Sequence, residues 1–214
     1  MRLAHWCLAL CFLGSWATAE LADDLMDVHM VLGYVALGTV AFRLIWGFAG
    51  PRHARFSAFL AGPASVLQHV RTLFSASPPA QAGHTPLGGW MALALMLVMG
   101  AQAGVGLFVG DDVFYFGPYN GAVSSSTANA LAGWHHTLFD VLTVLVALHI
   151  AAVLLYQFRK GQNLTASMLT GRKHANPDEA IESSLLGRAA LIALVVAAAV
   201  TTLVQLAPPP ALAF

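Results

Sequence analysis

Long apolar runs alternate with shorter polar segments along this chain, a pattern typical of helices that cross a membrane. A bilayer core about 30 Å thick takes about 20 helical residues to cross, because a helix rises about 1.5 Å per residue. Five runs approach or reach that length, at about 4–19, 30–48, 87–109, 136–156 and 189–206. The pattern therefore predicts an all-α integral membrane protein, with a four-helix bundle followed by a fifth C-terminal transmembrane helix.

The polar segments divide the chain into three parts. Residues 1–160 hold the first four spans and form the predicted transmembrane domain. Residues 161–185 form a polar linker, and residues 186–214 hold the last span and a tail. Within the loop between the second and third spans, residues 64–74 carry apolar positions at helical spacing. This spacing predicts a short helix lying at the membrane interface.

The composition supports an integral membrane protein. The chain is 58% hydrophobic and 9% charged, whereas soluble domains carry about 25% charged residues. The formal net charge is zero, so the overall charge balance says nothing about acidic or nucleic-acid partners. For a chain of this membrane composition no nucleic-acid partner is expected. The membrane interior is the environment that this composition fits best.

The positive charges predict the orientation of the spans. With five spans and a cytoplasmic N-terminus, every lysine and arginine falls on or near one side, as the positive-inside rule requires. They are Arg2, Arg43, Arg52, Arg55, Arg71, Arg159, Lys160, Arg172, Lys173 and Arg188. The opposite loops carry six acidic residues, namely Glu20, Asp23, Asp24, Asp27, Asp111 and Asp112. We therefore expect a cytoplasmic N-terminus and an external C-terminal tail.

The first apolar run has a second interpretation. Residues 1–19 resemble a short secretory signal, with one arginine, an apolar stretch, and Ala17-Thr18-Ala19 ahead of Glu20. The interpretation as a retained span is preferred, because His5 and Trp6 lie in this run and the cofactor hypothesis below uses them.

Two histidines in the fourth span point to a cofactor. His135 and His149 are fourteen residues apart, a distance that turns a helix by about 1400°, about 40° short of four full turns. Their side chains therefore share one face, about 21 Å apart along the axis. Ionisable residues inside a membrane are candidates for function, and imidazole is a common ligand of haem iron. The chain has no C-x-x-C-H motif, which excludes covalent c-type haem.

Two further histidines supply a partner at each depth. If spans one and four are antiparallel, His5 lies level with His149 on the cytoplasmic side, and His29 lies level with His135 on the external side. The spacing thus predicts an inner haem b held by the first pair and an outer haem b held by the second. Arg43, fourteen residues after His29, is a candidate partner for an inner haem propionate, or else extends to the interface.

Other residues near these histidines have weaker claims. His136 competes with His135, but its side chain lies about 140° from that of His149, so His135 is preferred. His84 is a candidate for a haem edge or a quinone pocket, but an ordinary interfacial residue is preferred. Asp140 is a candidate for proton handling at a quinol site or for a hydrogen-bonded structural acid. Spans also contain glycines that permit helix packing or leave room for a porphyrin, namely Gly33, Gly38, Gly100 and Gly104. Three more histidines are expected to be solvated loop residues, namely His53, His69 and His174.

Short motifs surround the candidate ligands. They are R-L-A-H-W at 2–6, H-M-V-L-G-Y at 29–34, V-A-F-R-L-I-W-G at 40–47, G-P-R-H-A-R-F at 50–56, G-H-T-P-L-G-G-W at 83–90, W-H-H-T-L-F-D at 134–140 and L-H-I at 148–150. Together they resemble the bacterial cytochrome b561 family, which is related to the cytochrome b subunit of nickel-iron hydrogenases. The resemblance covers about residues 2–173. It implies a four-helix core with two bis-histidine haems, the same four ligands, and a place in the bacterial cytoplasmic membrane.

The predicted function follows from these features. We expect a membrane cytochrome that transfers electrons between the quinone pool and a redox protein partner, such as a periplasmic cytochrome c. One alternative is an enzyme in its own right that oxidises superoxide or another small substrate and reduces quinone. Others are the membrane-anchor subunit of a hydrogenase or dehydrogenase, and, more remotely, a haem-free transporter. The fifth span lies outside the shared region.

Overall fold

The computed structural model describes residues 1–21, 25–71, 85–111, 114–161, 164–170 and 185–208. In chain order the helices are α1 (Arg2–Glu20), α2 (Met26–Ala49), α3 (Phe56–Phe59), α4 (Pro63–Arg71), α5 (Pro86–Gly106), α6 (Ser125–Lys160), α7 (Leu164–Thr170) and α8 (Leu186–Gln205). Apart from one antiparallel bridge between Gly110 and Phe116, the regular structure of the described residues is helical. The predicted all-α fold is confirmed.

Four of the five predicted spans are helices long and apolar enough to cross a membrane, namely α2, α5, α6 and α8. The remaining one, α1, has nineteen residues but is less apolar, because His5 and small polar residues lie within it. It nevertheless packs along α2, with Cys7 Sγ 3.3 Å from Thr39 Oγ1 and Gly14 against Leu32. Because the N-terminal half of α1 contacts the C-terminal half of α2, the two helices are antiparallel and cover the same depth.

The bundle is closed by α5 and α6, which pack along each other, while α5 also packs on α2. A Cβ atom at Gly100 would lie 3.0 Å from Val40 Cγ1, so this glycine allows α2 and α5 to approach closely. In contrast, the backbone of α6 is separated from α1 and α2 by a gap, and contact across this gap is made mainly by side chains. The candidate ligands face this gap.

The structure extends α6 well beyond the predicted span of 136–156. The helix begins at Ser125 because the Ser124 hydroxyl accepts a hydrogen bond from the amide of Thr127, 3.3 Å away. It ends at Gly161, whose φ of +61° is the left-handed conformation that glycine adopts readily at a helix C-terminus. The third span, predicted to reach residue 109, ends earlier at Gly106, where the chain turns into a loop.

The shorter predicted elements are partly described. The short helix predicted over 64–74 is present as α4 over Pro63–Arg71, and the rest of its range lies outside the described residues. Its location at the membrane interface stays a prediction. The predicted linker, 161–185, contains the helix α7. The division into a domain, a linker and a C-terminal helix with a tail stays a prediction.

The fifth helix, α8, packs on the back of α2. Gly38 of α2 faces Val196 and Val200, where an added Cβ would make ordinary contacts of 3.7–3.9 Å. Gly38 lies nine residues after His29 and therefore on the opposite face of α2. Because α8 covers the side of α2 turned away from the histidines, it supports the bundle without contributing to the candidate site.

Candidate functional site

The four histidines expected to act as ligands come together as two pairs. The ring centroids of His5 and His149 are 6.3 Å apart, and those of His29 and His135 are 6.2 Å apart. Each pair joins the α1–α2 hairpin to α6 across the gap between them. The pairing expected from the sequence is therefore the pairing that the structure contains.

The two pairs lie at different depths of the bundle. Both α6 histidines belong to one continuous helix, so the fourteen residues between them correspond to about 21 Å along its axis. We call the depth of His5 and His149 the His5 level, and we call the depth of His29 and His135 the His29 level. This separation places the levels toward opposite ends of the apolar part of α6.

The geometry of each pair fits the axial ligands of haem iron. A metal–imidazole bond of about 2.0 Å, with the ring centroid roughly 1 Å behind the nitrogen, gives a centroid separation of about 6 Å. Two histidines suffice for haem iron, because the porphyrin supplies the other ligands, whereas a bare zinc ion takes three or four protein ligands. Among the described residues, no group of three or more His, Cys, Asp or Glu side chains gathers as a metal site. The donors fit haem better than a bare ion.

A hydrogen bond orients one of these ligands. His29 Nδ1 lies 2.9 Å from the carbonyl oxygen of Ser15 in α1. Because a carbonyl only accepts, Nδ1 is the protonated nitrogen and Nε2 keeps its lone pair. Partners of this kind fix the ring and raise the basicity of metal-binding histidines. His29 is therefore held in the tautomer that a ligand needs.

Gly33 leaves open space beside the His29 level. This glycine is one helical turn after His29, and seven residues before the inward-facing Val40, so it points toward the interior of the bundle. It is half-buried, and a Cβ added to it would meet no atom of the described residues within 4 Å. Side chains of the described residues therefore leave the space at Gly33 unfilled, whereas Gly100 against Val40 serves helix packing.

Arg43 brings a positive charge close to the His5 level. Burial, and then the charges of Arg43 and Arg2, lower the pKa of the Met1 ammonium, so the Arg43 guanidinium is an electrostatic neighbour of the start of α1. Its Nη1 is buried and has no hydrogen-bond partner among the described residues. An unpaired guanidinium nitrogen at this place is suited to a propionate.

A dry layer separates the two levels. Phe12 and Phe139 stack across the gap, with centroids 6.3 Å apart. Leu142, midway between the two α6 histidines, is 2% exposed and packs with the buried residues Cys11 and Ala36. The space between the levels is therefore filled by apolar side chains.

The weaker candidates are placed as follows. The side chains of His136 and Asp140 are exposed, and the ring that faces His29 belongs to His135. His53 is half-buried. His84 and His174 lie outside the described residues.

The surroundings of His69 were misjudged from the sequence. His69, expected to be solvated, is half-buried, and its Nε2 lies 2.8 Å from the Tyr156 hydroxyl. Tyr156 is buried and lies seven residues after His149 on the same face of α6. Only the amphipathic pattern of α4 hinted that His69 faces the bundle.

The N-terminal end of α1 also contacts α7, and the sequence did not predict this contact. Arg2 Nη1 donates to the carbonyl of Leu169 at 2.9 Å, and Trp6 Nε1 donates to that of Met168 at 3.4 Å. Both donors belong to the motif around His5. The predicted linker thus begins with a helix that is attached beside the His5 level.

Helices apolar enough to cross a membrane, with opposed imidazoles between them, are the arrangement expected of a b-type membrane cytochrome. The family model described as prokaryotic cytochrome b561 matches residues 1–171, and the chain belongs to this family. It is accordingly a membrane cytochrome of electron transfer, with haem b as its implied cofactor. No curated protein and no solved structure matches the chain. The family match ends before α8, in agreement with the limit expected from the motifs.

Proposed function

We propose that this cytochrome holds two haem b groups and carries electrons between the two sides of the bacterial cytoplasmic membrane. His5 and His149 would hold one group, and His29 and His135 the other. The observation that carries the proposal is the occurrence of two opposed imidazole pairs, 6.3 and 6.2 Å apart, at two depths of one bundle. Haem b, when bound, would supply one-electron chemistry, with two histidines of the chain holding each iron.

The chain contributes binding, orientation and a dry environment. The Ser15 carbonyl keeps His29 in its ligand tautomer, and Gly33 leaves room beside it. Arg43 offsets the negative charge of a propionate near the His5 level. The apolar layer around Leu142 fills the space between the levels, which disfavours the passage of water and ions there.

Exchange with the quinone pool is the second part of the proposal. Quinone reduction takes up protons as well as electrons, and the Tyr156–His69 contact offers a phenol and an imidazole near the His5 level. Imidazole changes its protonation near neutral pH. We therefore propose that quinone reacts at this end and a redox protein, such as a periplasmic cytochrome c, at the other. Superoxide or substrate oxidation and membership in a hydrogenase or dehydrogenase complex are the remaining alternatives, while family membership disfavours the haem-free transporter.

The first test is a dithionite-reduced minus oxidised spectrum of the purified protein, combined with a pyridine haemochrome assay. We expect two b haems per chain with sharp low-spin bands, because every iron has two imidazole ligands. One haem per chain would mean that a pair is misassigned. A high-spin spectrum would contradict bis-histidine ligation.

A second test concerns the orientation, proposed to have a cytoplasmic N-terminus and a periplasmic end of α8. Reporter fusions after Gly110 and after Gly161 should report an external and a cytoplasmic position, respectively. The physical reason is that Lys and Arg residues cluster in loops at the Gly161 end. The reverse result would exchange the two sides and would assign the quinone reaction to the external face.

A further inference from the structure

His135 lacks a hydrogen-bond acceptor for its ring, whereas its counterpart His29 has the Ser15 carbonyl. Its Nδ1 is buried and has no hydrogen-bond partner among the described residues. If Nε2 binds iron, Nδ1 carries the proton and needs an acceptor. Inside a membrane an unsatisfied donor is costly, because no water replaces the missing bond. A nearby acceptor is therefore expected.

Gln102 in α5 is that neighbour. It lies one turn before Gly106, on the same face, and a Cβ at Gly106 would be 3.1 Å from His135 Cε1 and 3.5 Å from Nδ1. The backbone carbonyl of Gln102 also lies close enough to the His135 imidazole to attract its N–H, but no hydrogen bond of good geometry joins it to Nδ1. The position of the glutamine is therefore adjacent to the ring, across the packed interface of α5 and α6.

The side chain of Gln102 has the complementary deficiency. Its Oε1 is buried and, like His135 Nδ1, has no hydrogen-bond partner among the described residues. One atom is an acceptor and the other is a donor once Nε2 is committed to iron. A rotation of the glutamine side chain would satisfy both atoms with one hydrogen bond.

We infer that Gln102 is a positioning residue for the haem at the His29 level, accepting a hydrogen bond from His135 Nδ1 through Oε1. This inference rests on the proposed function, since it takes His135 as a ligand. The two ligands of that haem would then each have an acceptor, the Ser15 carbonyl for His29 and Gln102 for His135. Acceptors of this kind raise ligand basicity and fix the ring orientation.

The test compares Gln102→Leu and Gln102→Met, which remove the acceptor, with Gln102→Glu, which keeps an acceptor oxygen. Each is also made in the His149→Ala background, where the haem at the His29 level should remain alone. Redox titration and EPR of the oxidised protein are the readouts, because packing changes alone do not alter the basicity of His135. The exposed Gln205→Leu serves as the matched amide control, and the haem at the His5 level as an internal one.

We expect the two apolar variants to raise the midpoint potential of the haem at the His29 level and to shift its EPR signal. A less basic imidazole stabilises the oxidised iron less. Haem at that level should also be retained about 10- to 100-fold less tightly, the usual effect of losing such a partner. Gln102→Glu should restore the EPR signal, and the haem at the His5 level should not change.

Unchanged potential and EPR signal in Gln102→Leu and Gln102→Met would overturn the inference. So would an equal shift of both haems, or a failure of Gln102→Glu to restore the signal when the apolar variants change it. If Gln102→Leu does not accumulate, Gln102→Met and Gln102→Glu decide the matter. A wild-type protein with fewer than two haems would instead contradict the proposed function itself.

Discussion

The His149→Ala variant should lose the haem at the His5 level and keep most of the other. With alanine at position 149, His5 alone would hold that group, and one imidazole would hold haem b far less firmly than two. The other pair is about 21 Å away along α6 and its contacts are unchanged. Haem content should therefore fall from two to about one per chain, as measured by pyridine haemochrome on protein normalised by amino-acid analysis.

His135→Ala is the reciprocal variant and should remove the haem at the His29 level alone. Its matched control is His136→Ala, which removes an adjacent, exposed imidazole from the same helix turn and should leave both haems in place. A one-haem product from His136→Ala would show that His136, and not His135, is the ligand. Loss of neither haem in His149→Ala would contradict the pairing altogether.

The Gly33→Leu variant should also reduce the haem content by about one, although no ligand is altered. Four carbon atoms would enter the half-buried space beside His29, where a Cβ now meets no described atom within 4 Å. A flat group that relies on this space would be displaced. The measurement is a redox titration, which should retain the component of the haem at the His5 level and lose the other.

A glycine in a different setting provides the control for this variant. Gly133 also has no described atom within 4 Å of an added Cβ, but it is exposed and lies in the first part of α6. Gly133→Leu should keep both haems. Full haem content in Gly33→Leu would show that haem does not occupy the space beside His29.

The sequence predicted the elements whose signal is periodic. Apolar runs revealed the long helices, and the spacing of His135 and His149 revealed their common face, because helix geometry is the same in every chain. The choice of His5 and His29 as partners also followed from the matching of depths in an antiparallel arrangement. The ligand roles of these residues stay predictions.

The rest depended on contacts between residues distant in the chain. The bond between His69 and Tyr156 joins positions 87 residues apart, and no periodicity relates them. The extension of α6 to Ser125 depends on a cap formed by Ser124, which is hidden in a polar segment. The proposed role of Gln102 depends on two buried polar atoms, one in α5 and one in α6, whose proximity no sequence pattern indicates.

The dry layer between the two histidine levels has an energetic consequence. Leu142 is buried there and Phe12 stacks on Phe139, so under the proposed function an electron would pass between the levels without a proton crossing the same layer. The movement would therefore transfer net charge across much of the low-dielectric part of the membrane.

The transmembrane voltage acts on that charge directly. A full crossing is worth about 2.3 kcal/mol per 100 mV, and the levels span about 21 Å of a core about 30 Å thick. If the field is uniform, the voltage changes the free energy of the step by about 1.6 kcal/mol per 100 mV. Roughly tenfold changes in the distribution of the electron between the two levels would follow, so the membrane potential itself would act on this cytochrome.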